Sequence, residues 1–586
     1  MSEEVCSVVW PRSRHVTGAV AGERRVDELA GKRIAFIWDD LFRGDEMFAA
    51  FAEAAQARGA GFTAVTHEQF GNIHGHDERA VVERLGDLLA EHKIDAAVVG
   101  VGACGSCTPA VMRACRAVEA AGVPALALIS SGFIRQARSV ARSLGISHTW
   151  IAEYPGVIPN DTDEVFSGKV AEHIVPSLFD GFAALAQGVT VEGDTGAAEF
   201  GPRDTVFTGT YDEIQDFFEE RMWSDGLPIV PPTVERVEAF LAHTDRDPRE
   251  VLGVLLPDSR EATIWSIAVN GVLAGCRPEY MPLLIGIVEA MADKRWRLED
   301  AGCTPGWEPL VVVSGPVVDE LNFNCLGGQM RLGRRANASV GRFARLYMRN
   351  IPGFLAPPGD TDKAAIGMSM NVAMAENDEA TLAIGWQPTR VERGFALTDS
   401  VVTPQSCLAI SGPVYTGGPA ERQLEVIADA MTRTLGPWAY TTMLYQEAYP
   451  LILMSPSVAR VLAEAGYSKD DVKKYLFDHV QLPARVLEDC SEVAGGNRLL
   501  LSDLVRKGVT PSLYAESDDP DRMVPLLLRP DMVTIVVGGD PGRNQNRIYA
   551  NNHAQGVPIS RLISKRTKED GPAGYTPEPF AVAGVS

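Results

Sequence analysis

From Lys32 onward, short apolar runs alternate with amphipathic stretches. Residues 33–38 form an apolar strand that ends on Asp39 and Asp40. Residues 45–58 are rich in alanine and read as a helix closed by Gly59. A second strand follows at residues 62–66. Residues 78–92 carry Val81, Leu85, Leu88 and Leu89 at helical spacing. Residues 94–101 and 123–129 are the third and fourth strands, with a helix between them. Strand-helix alternation predicts an α/β unit, a doubly wound parallel sheet with helices on both faces. Ligands in such folds bind at the C-terminal ends of the strands.

The pattern changes elsewhere. Residues 1–30 lack periodicity and are expected to be an irregular leader. Residues 191–206 are small, polar and rich in glycine, and are expected to link a unit at 31–190 to a larger one at 207–586. The second unit opens on an amphipathic helix with Ile214, Phe217, Phe218 and Met222 on one face, then mixes helices and strands as an α+β domain. Within it, residues 310–316 and 408–413 are both apolar runs ending in Ser-Gly-Pro, and 534–541 is a looser third copy. One sheet with equivalent turns along an edge would account for all three.

A length of 586 residues agrees with two or more domains. The net charge of −23 repels phosphate backbones and anionic lipid, so no nucleic-acid or membrane partner is expected. No apolar run approaches the ~18 residues of a membrane span. The first residues do not pair a cationic stretch with an apolar core, so no secretory signal is expected. Nine cysteines, odd in number and mostly scattered, do not make a disulfide framework and point to a reducing cytoplasm.

Two of those cysteines carry the candidate chemistry. Cys104, Gly105, Ser106 and Cys107 follow the third strand, with Thr108 and Pro109 placed as N-cap and first residue of a helix that stops at Gly122. Unpaired backbone N–H groups and the positive dipole end there stabilise a thiolate. Gly105 allows a tight turn, and Ser106 supplies a hydrogen bond. Such a pair suits a nucleophile with a resolving partner, or a dithiol–disulfide couple. Two other readings stay open. A C-x-x-C is half a zinc site, but no second pair accompanies it, and no metal is expected. Two inert buried cysteines also fit. Cys115 falls in register with Val111 and Val118 on the apolar face and is expected in the core.

Residues 96–109 (AAVVGVGACGSCTP), followed by a helix and Ala-Gly-Val-Pro124, resemble the UGSC family. Some members of that family carry selenocysteine at the position of Cys104, which implies redox or strongly nucleophilic chemistry there. The segment is more distantly similar to the selenoprotein B component of glycine, sarcosine and betaine reductases, which cleave a carbon–nitrogen bond reductively. The resemblance covers about residues 30–190. The second unit resembles a largely uncharacterised partner domain of UGSC-type proteins through residues 223–233 (WSDGLPIVPPT), 274–280 (AGCRPEY), 335–342 (RANASVGR), 359–363 (GDTDK) and 375–377 (AEN). It departs from that pattern at residues 368–374 and at Gly327 and Gly328, which implies a substrate of its own.

Between Leu321 and Gly359 there is no acidic residue, yet six arginines occur: Arg331, Arg334, Arg335, Arg342, Arg345 and Arg349. A glycine-rich loop leads to Asn337, placed as an N-cap. Arginine forks beside a helix N-terminus suit a carboxylate or phosphate. Arg334, Arg335, Asn337, Arg342 and Thr108 are therefore the expected substrate contacts. A basic face paired with the protein's own acids fits equally well. His74 and His76 could bind metal or lie in a plain loop, and Asp360, Asp362 and Glu376 could hold a cation or cap turns.

The sequence thus predicts a cysteine-dependent enzyme that makes or breaks a C–S or C–N bond in a small anionic metabolite. Cys104 would be the nucleophile, with Cys107 and Ser106 assisting, and an external thiol as possible reductant. A homo-oligomer is expected, and no cofactor can be named. The alternatives are a redox-neutral lyase or transferase with its site in the second unit, and a dithiol redox or sulfur-carrier protein. A carrier would expose Cys104, whereas an enzyme would enclose the motif between domains.

Overall fold

The computed structural model describes residues 5–16, 18, 20, 26, 28–187, 200–356, 359, 361–551, 555 and 557–564. Much of the expected leader and linker, and Asp360, lie outside these residues. Among the described residues, no helix is long and apolar enough to cross a membrane.

The alternating N-terminal stretch folds into a five-stranded, all-parallel sheet. Its strands are β1 (Arg33–Trp38), β2 (Thr63–Val65), β3 (Ala96–Gly102), β4 (Ala125–Ser130) and β5 (Trp150–Tyr154). The helices are α1 (Gly44–Ala57), α2 (Glu78–Glu91), α3 (Cys107–Ala120), α4 (Ile134–Ser143), α5 (Asp163–Lys169) and α6 (Val175–Ala186). Successive side chains along a strand point to opposite faces, and the burial follows that rule. Ile34, Phe36 and Leu128 pack with Phe51 of α1 and Phe182 of α6. Ala35, Ile37 and Val99 pack with Leu85 of α2, Val111 of α3 and Val140 of α4 on the other face. The unit is doubly wound as expected. Cys115 lies in that second cluster, and burial pushes its thiol far up.

The spatial order is β2-β1-β3-β4-β5. Winding reverses between β1 and β3, which opens a crevice at their C-terminal ends. Asp39 follows β1 there, and its Oδ1 accepts the backbone N–H of Val101 at 2.9 Å. Ala103 and Cys104 leave β3 at the same edge.

The leader is not irregular throughout. Cys6–Val9 is a strand, antiparallel to Thr205–Gly209. Val8, Val9 and Trp10 are buried in the core of the second unit. A run of three apolar residues is too short to show a period, but it is enough to anchor a strap. The expected linker likewise ends in a strand that begins at Thr205, not at a boundary after residue 206.

The second unit begins with helix Tyr211–Glu220, closed by a capping box of Thr210 and Glu213. Met222 lies beyond its end at positive φ. Two sheets follow. One orders Met374–Ala375, Glu308–Ser314, Val401–Cys407 and Arg561–Leu562. The other orders Ala409–Ile410, Gln545–Ala550, Leu451–Met454 and Thr534–Val537. Leu310 and Cys407 of the first pack with Leu453 and Val536 of the second. The three strand-to-glycine runs therefore do not share one sheet: the first belongs to one and the other two to its neighbour. Helices Ile264–Leu273, Met281–Met291 and Arg335–Asn350 bury their apolar sides with Val311 and Val313 of the first sheet.

Candidate functional site

The turn between β3 and α3 brings Cys104 and Cys107 together, and they form a disulfide with Cα atoms 5.1 Å apart. Helix α3 starts at Cys107, so Thr108 is inside its first turn and is not the N-cap. The Thr108 hydroxyl donates to the Cys104 carbonyl at 2.9 Å and fastens the turn. The backbone N–H of Cys107, free because it opens the helix, donates to Cys104 Sγ at 2.9 Å. Negative charge developing on that sulfur meets both this donor and the helix N-terminus. Cys104 is half-buried, whereas Cys107 is 1% exposed, so access favours Cys104 as the attacking sulfur.

A buried polar chain leads away from the sulfur. Ser106 Oγ lies 3.5 Å from Cys104 Sγ and 3.1 Å from His74 Nε2. His74 Nδ1 lies 3.1 Å from Glu78 Oε2. Glu78 occupies the first turn of α2, one helical turn after His74. Burial opposes its charge, but Arg113, His74 and Arg297 hold its carboxyl well below the usual range. An ionised Glu78 only accepts hydrogen bonds, so in a neutral imidazole Nδ1 carries the proton. Nε2 is then the acceptor, and it takes the Ser106 hydroxyl. The order Cys104, Ser106, His74, Glu78 is a path along which a thiol proton can leave.

Arg113 donates to Glu78 and, at 2.6 Å, to Asp300; Arg297 donates to Asp300 at 2.8 Å. Since Asp300 and Arg297 belong to the second unit, that unit completes the support of His74. The Tyr445 ring stands edge-on to His74 at 5.3 Å, and burial keeps its hydroxyl far from ionising.

The second unit also covers the motif. Gly105 N–H donates to Thr304 Oγ1 at 3.1 Å, and Gln136 of α4 donates to the Gly105 carbonyl at 2.8 Å. A Cβ on Gly105 would run into the Gly302 carbonyl oxygen. Gly105→Ala is therefore expected to lever the two units apart, at a cost of about 1–3 kcal/mol. Denaturant unfolding and the protease sensitivity of the 301–306 loop would measure it. A cleft of about 650 Å³ opens on the far side of the cluster, lined by Glu78, Arg113, Arg297 and Asp300 but by neither cysteine.

The sequence profile of the UGSC family matches residues 7–183, the stretch that holds the whole Cys104-to-Glu78 chain. This part of the protein belongs to the UGSC family. No curated protein matches the chain. Among solved structures, a C2-type ketoreductase from a modular polyketide synthase is similar at 20% identity and a TM-score of 0.19, over 27% of this chain and 37% of that one.

The UGSC unit thus gathers Cys104, Ser106 and Cys107 as expected and adds His74 and Glu78. Thr108 stands in the same turn, but the expected contacts from the second unit do not join them. Arg335 Nε donates to the Gly275 carbonyl at 2.9 Å. Arg342 grips Asp225 with two bonds of 2.9 and 2.7 Å. Asn337 is not a cap, since the helix starts at Arg335; it is buried and bridges Asn324 and Ala373. Arg345 pairs with Asp362, which removes that carboxylate from a cation site with Glu376. Glu376 itself accepts bonds from Ser314 and Thr389. Arg334 remains exposed on its loop. The acid-free segment contains the helix Arg335–Asn350, and two of its six arginines, Arg342 and Arg345, pair with acids from elsewhere in the chain.

Proposed function

We propose that the protein is a cysteine-dependent enzyme that makes or breaks a C–S or C–N bond in a small anionic metabolite, with Cys104 as nucleophile. One observation carries this reading: the accessible sulfur of a helix-capping dithiol is linked through Ser106 to His74 and Glu78 at a domain boundary. The Cys104 thiol proton passes by way of Ser106 to His74 Nε2, and Glu78 stabilises the resulting imidazolium. The positioning residues are His74 and Glu78; Cys104 is the catalytic one.

In the reductive direction the Cys104 thiolate attacks the carbon of R–X and X leaves as HX. The Cys107 thiolate then attacks Cys104 sulfur, forming the disulfide and releasing R as R–H. The balance is R–X plus dithiol giving R–H, HX and disulfide, with both protons supplied by the two thiols. An external thiol returns the pair to the dithiol. The oxidised pair is the state that ends this cycle. Enclosure of Gly105 by the second unit favours an enzyme over a carrier. Arg334, exposed on its loop, is the candidate we retain for drawing an anion toward the second unit. We assign this chemistry to a reducing cytoplasm, in keeping with the seven free cysteines among the described residues.

A single-turnover measurement tests the proposal. Pre-reduced protein, freed of reductant, is mixed with small carboxylates bearing a C–S or C–N leaving group. The expected result is one R–H per chain and the loss of two thiols, both mapped to Cys104 and Cys107. Product with an unchanged thiol count would favour the redox-neutral reading, and product from a Cys104→Ser chain would move the site to the second unit.

A further inference from the structure

The C-x-x-C lacks a second cysteine pair in sequence, but the fold supplies a third soft ligand. One ring nitrogen of His74 and the sulfurs of Cys104 and Cys107 lie within 4.8 Å of one another. Donor atoms around a tetrahedral zinc stand roughly 3.3–3.8 Å apart, so movements of about an ångström would close the set. We propose that the reduced motif is a redox-gated Cys2His site for a thiophilic divalent cation, zinc above all. The proposal uses the sulfurs of the site described above but does not depend on Cys104 acting as a nucleophile.

Three features point the same way. The first is the imidazole. Glu78 accepts a hydrogen bond from Nδ1–H, which leaves Nε2 with a lone pair directed at Ser106, whose Oγ lies 3.5 Å from Cys104 Sγ, and a carboxylate behind a ligating histidine fixes its tautomer and raises its basicity. Glu78 is itself locked by Arg113 and Arg297, so the imidazole cannot rotate cheaply. The second is the donor set, since two thiolates and an imidazole select zinc-like ions over magnesium or calcium. The third is the open position. His74, Glu78 and Asp300 also lie close together, but the two carboxylates are neutralised by Arg113 and Arg297 and have little left to give a cation. The fourth coordination place therefore goes to water or a small ligand on the accessible side of Cys104. Three protein ligands with one open place is the pattern of a reactive zinc, not of a structural one.

The gate is the disulfide. Each sulfur in the oxidised pair has spent on the other the electrons it would offer a metal. Two thiols supply two electrons and two protons; a phosphine supplies the electrons, and the water that converts it to the phosphine oxide supplies the protons. Zinc binding then displaces both thiol protons to solvent, and the Ser106 hydroxyl gives up its place on Nε2. Zinc on the reduced pair would block alkylation and reoxidation of both cysteines.

The test uses the full chain, reduced with a phosphine under anaerobic conditions and then freed of reductant. Zinc or cobalt(II) is added and unbound metal is removed by gel filtration. The expected result is one metal per chain, a thiolate-to-cobalt charge-transfer band, and loss of iodoacetamide labelling at Cys104 and Cys107. The oxidised chain should retain none. His74→Ala is expected to weaken zinc by more than about tenfold, and Glu78→Gln by about 10–100-fold. Cys104→Ser guards against a folding defect in the histidine variant and should abolish the cobalt band. No uptake by the reduced wild type, or uptake unchanged by His74→Ala and Cys104→Ser, would overturn the site. Labelling rates without metal report the nucleophile separately, so an activated Cys104 with no metal uptake sinks this inference alone.

Discussion

Cys104→Ser is expected to lower turnover by at least about 10³-fold while leaving the fold intact. A serine hydroxyl keeps the hydrogen bonds of the turn, but it is a far weaker nucleophile at neutral pH and cannot be resolved as a disulfide. Little stability should change, because Cys104 is half-buried and the turn is held mainly by Thr108, Gln136 and Thr304. Cys107→Ser should behave differently. It should still form the covalent adduct but fail to release it, so mass spectrometry of that variant after mixing with substrate should find one adduct on Cys104. Circular dichroism and urea unfolding of the reduced proteins would separate a chemical loss from a folding loss.

The second large effect concerns stability. Glu78→Ala is expected to cost about 3–5 kcal/mol, the range for removing one partner of a buried ion pair. Glu78 is 5% exposed and serves Arg113, Arg297 and His74 at once. Without it, two guanidinium groups share Asp300 as their principal buried counter-ion. The pH dependence has a definite sign. Because the folded state depresses this carboxyl, its contribution is present above the ordinary carboxylate value of ~4.3 and disappears as pH falls below it. The wild type should therefore lose stability steeply below about pH 5. The alanine variant should start lower and lose less over that interval. Urea midpoints measured from pH 7 to pH 3.5 would reveal the difference.

The sheet and the cysteine turn were legible in the sequence because both are local. Apolar runs at residues 33–38 and 94–101 mark strands directly, and the helix after Cys107 is announced by Pro109 and Gly122. The edge strand Trp150–Tyr154 was harder, since its pattern is only half buried. The proton path was not legible. His74 and Ser106 are 32 positions apart, and only the packing of α2 against α3 makes them neighbours. The pair His74 and Glu78 at i, i+4 was the available clue, but a loop histidine before a helix is too common to separate from background. The arginine-rich segment failed for a related reason. A window without acids says nothing about acids that pack onto it, and the partners Asp225, Glu308 and Asp362 all lie outside residues 321–359. The strap through Val8, Val9 and Trp10 is invisible to periodicity, because so short a run shows no repeat and its partner strand begins only at Thr205.

The central claim, that Cys104 is an activated thiol served by His74, is tested most directly by alkylation. Reduced, metal-free protein is labelled with limiting iodoacetamide across a pH series, and the sites are mapped by mass spectrometry. The expected result is selective labelling of Cys104 with a midpoint well below the ordinary thiol value of ~8.5, shifted upward in His74→Gln. Labelling of Cys104 no faster than that of the half-buried Cys6 and Cys490, with no response to His74→Gln, would contradict it.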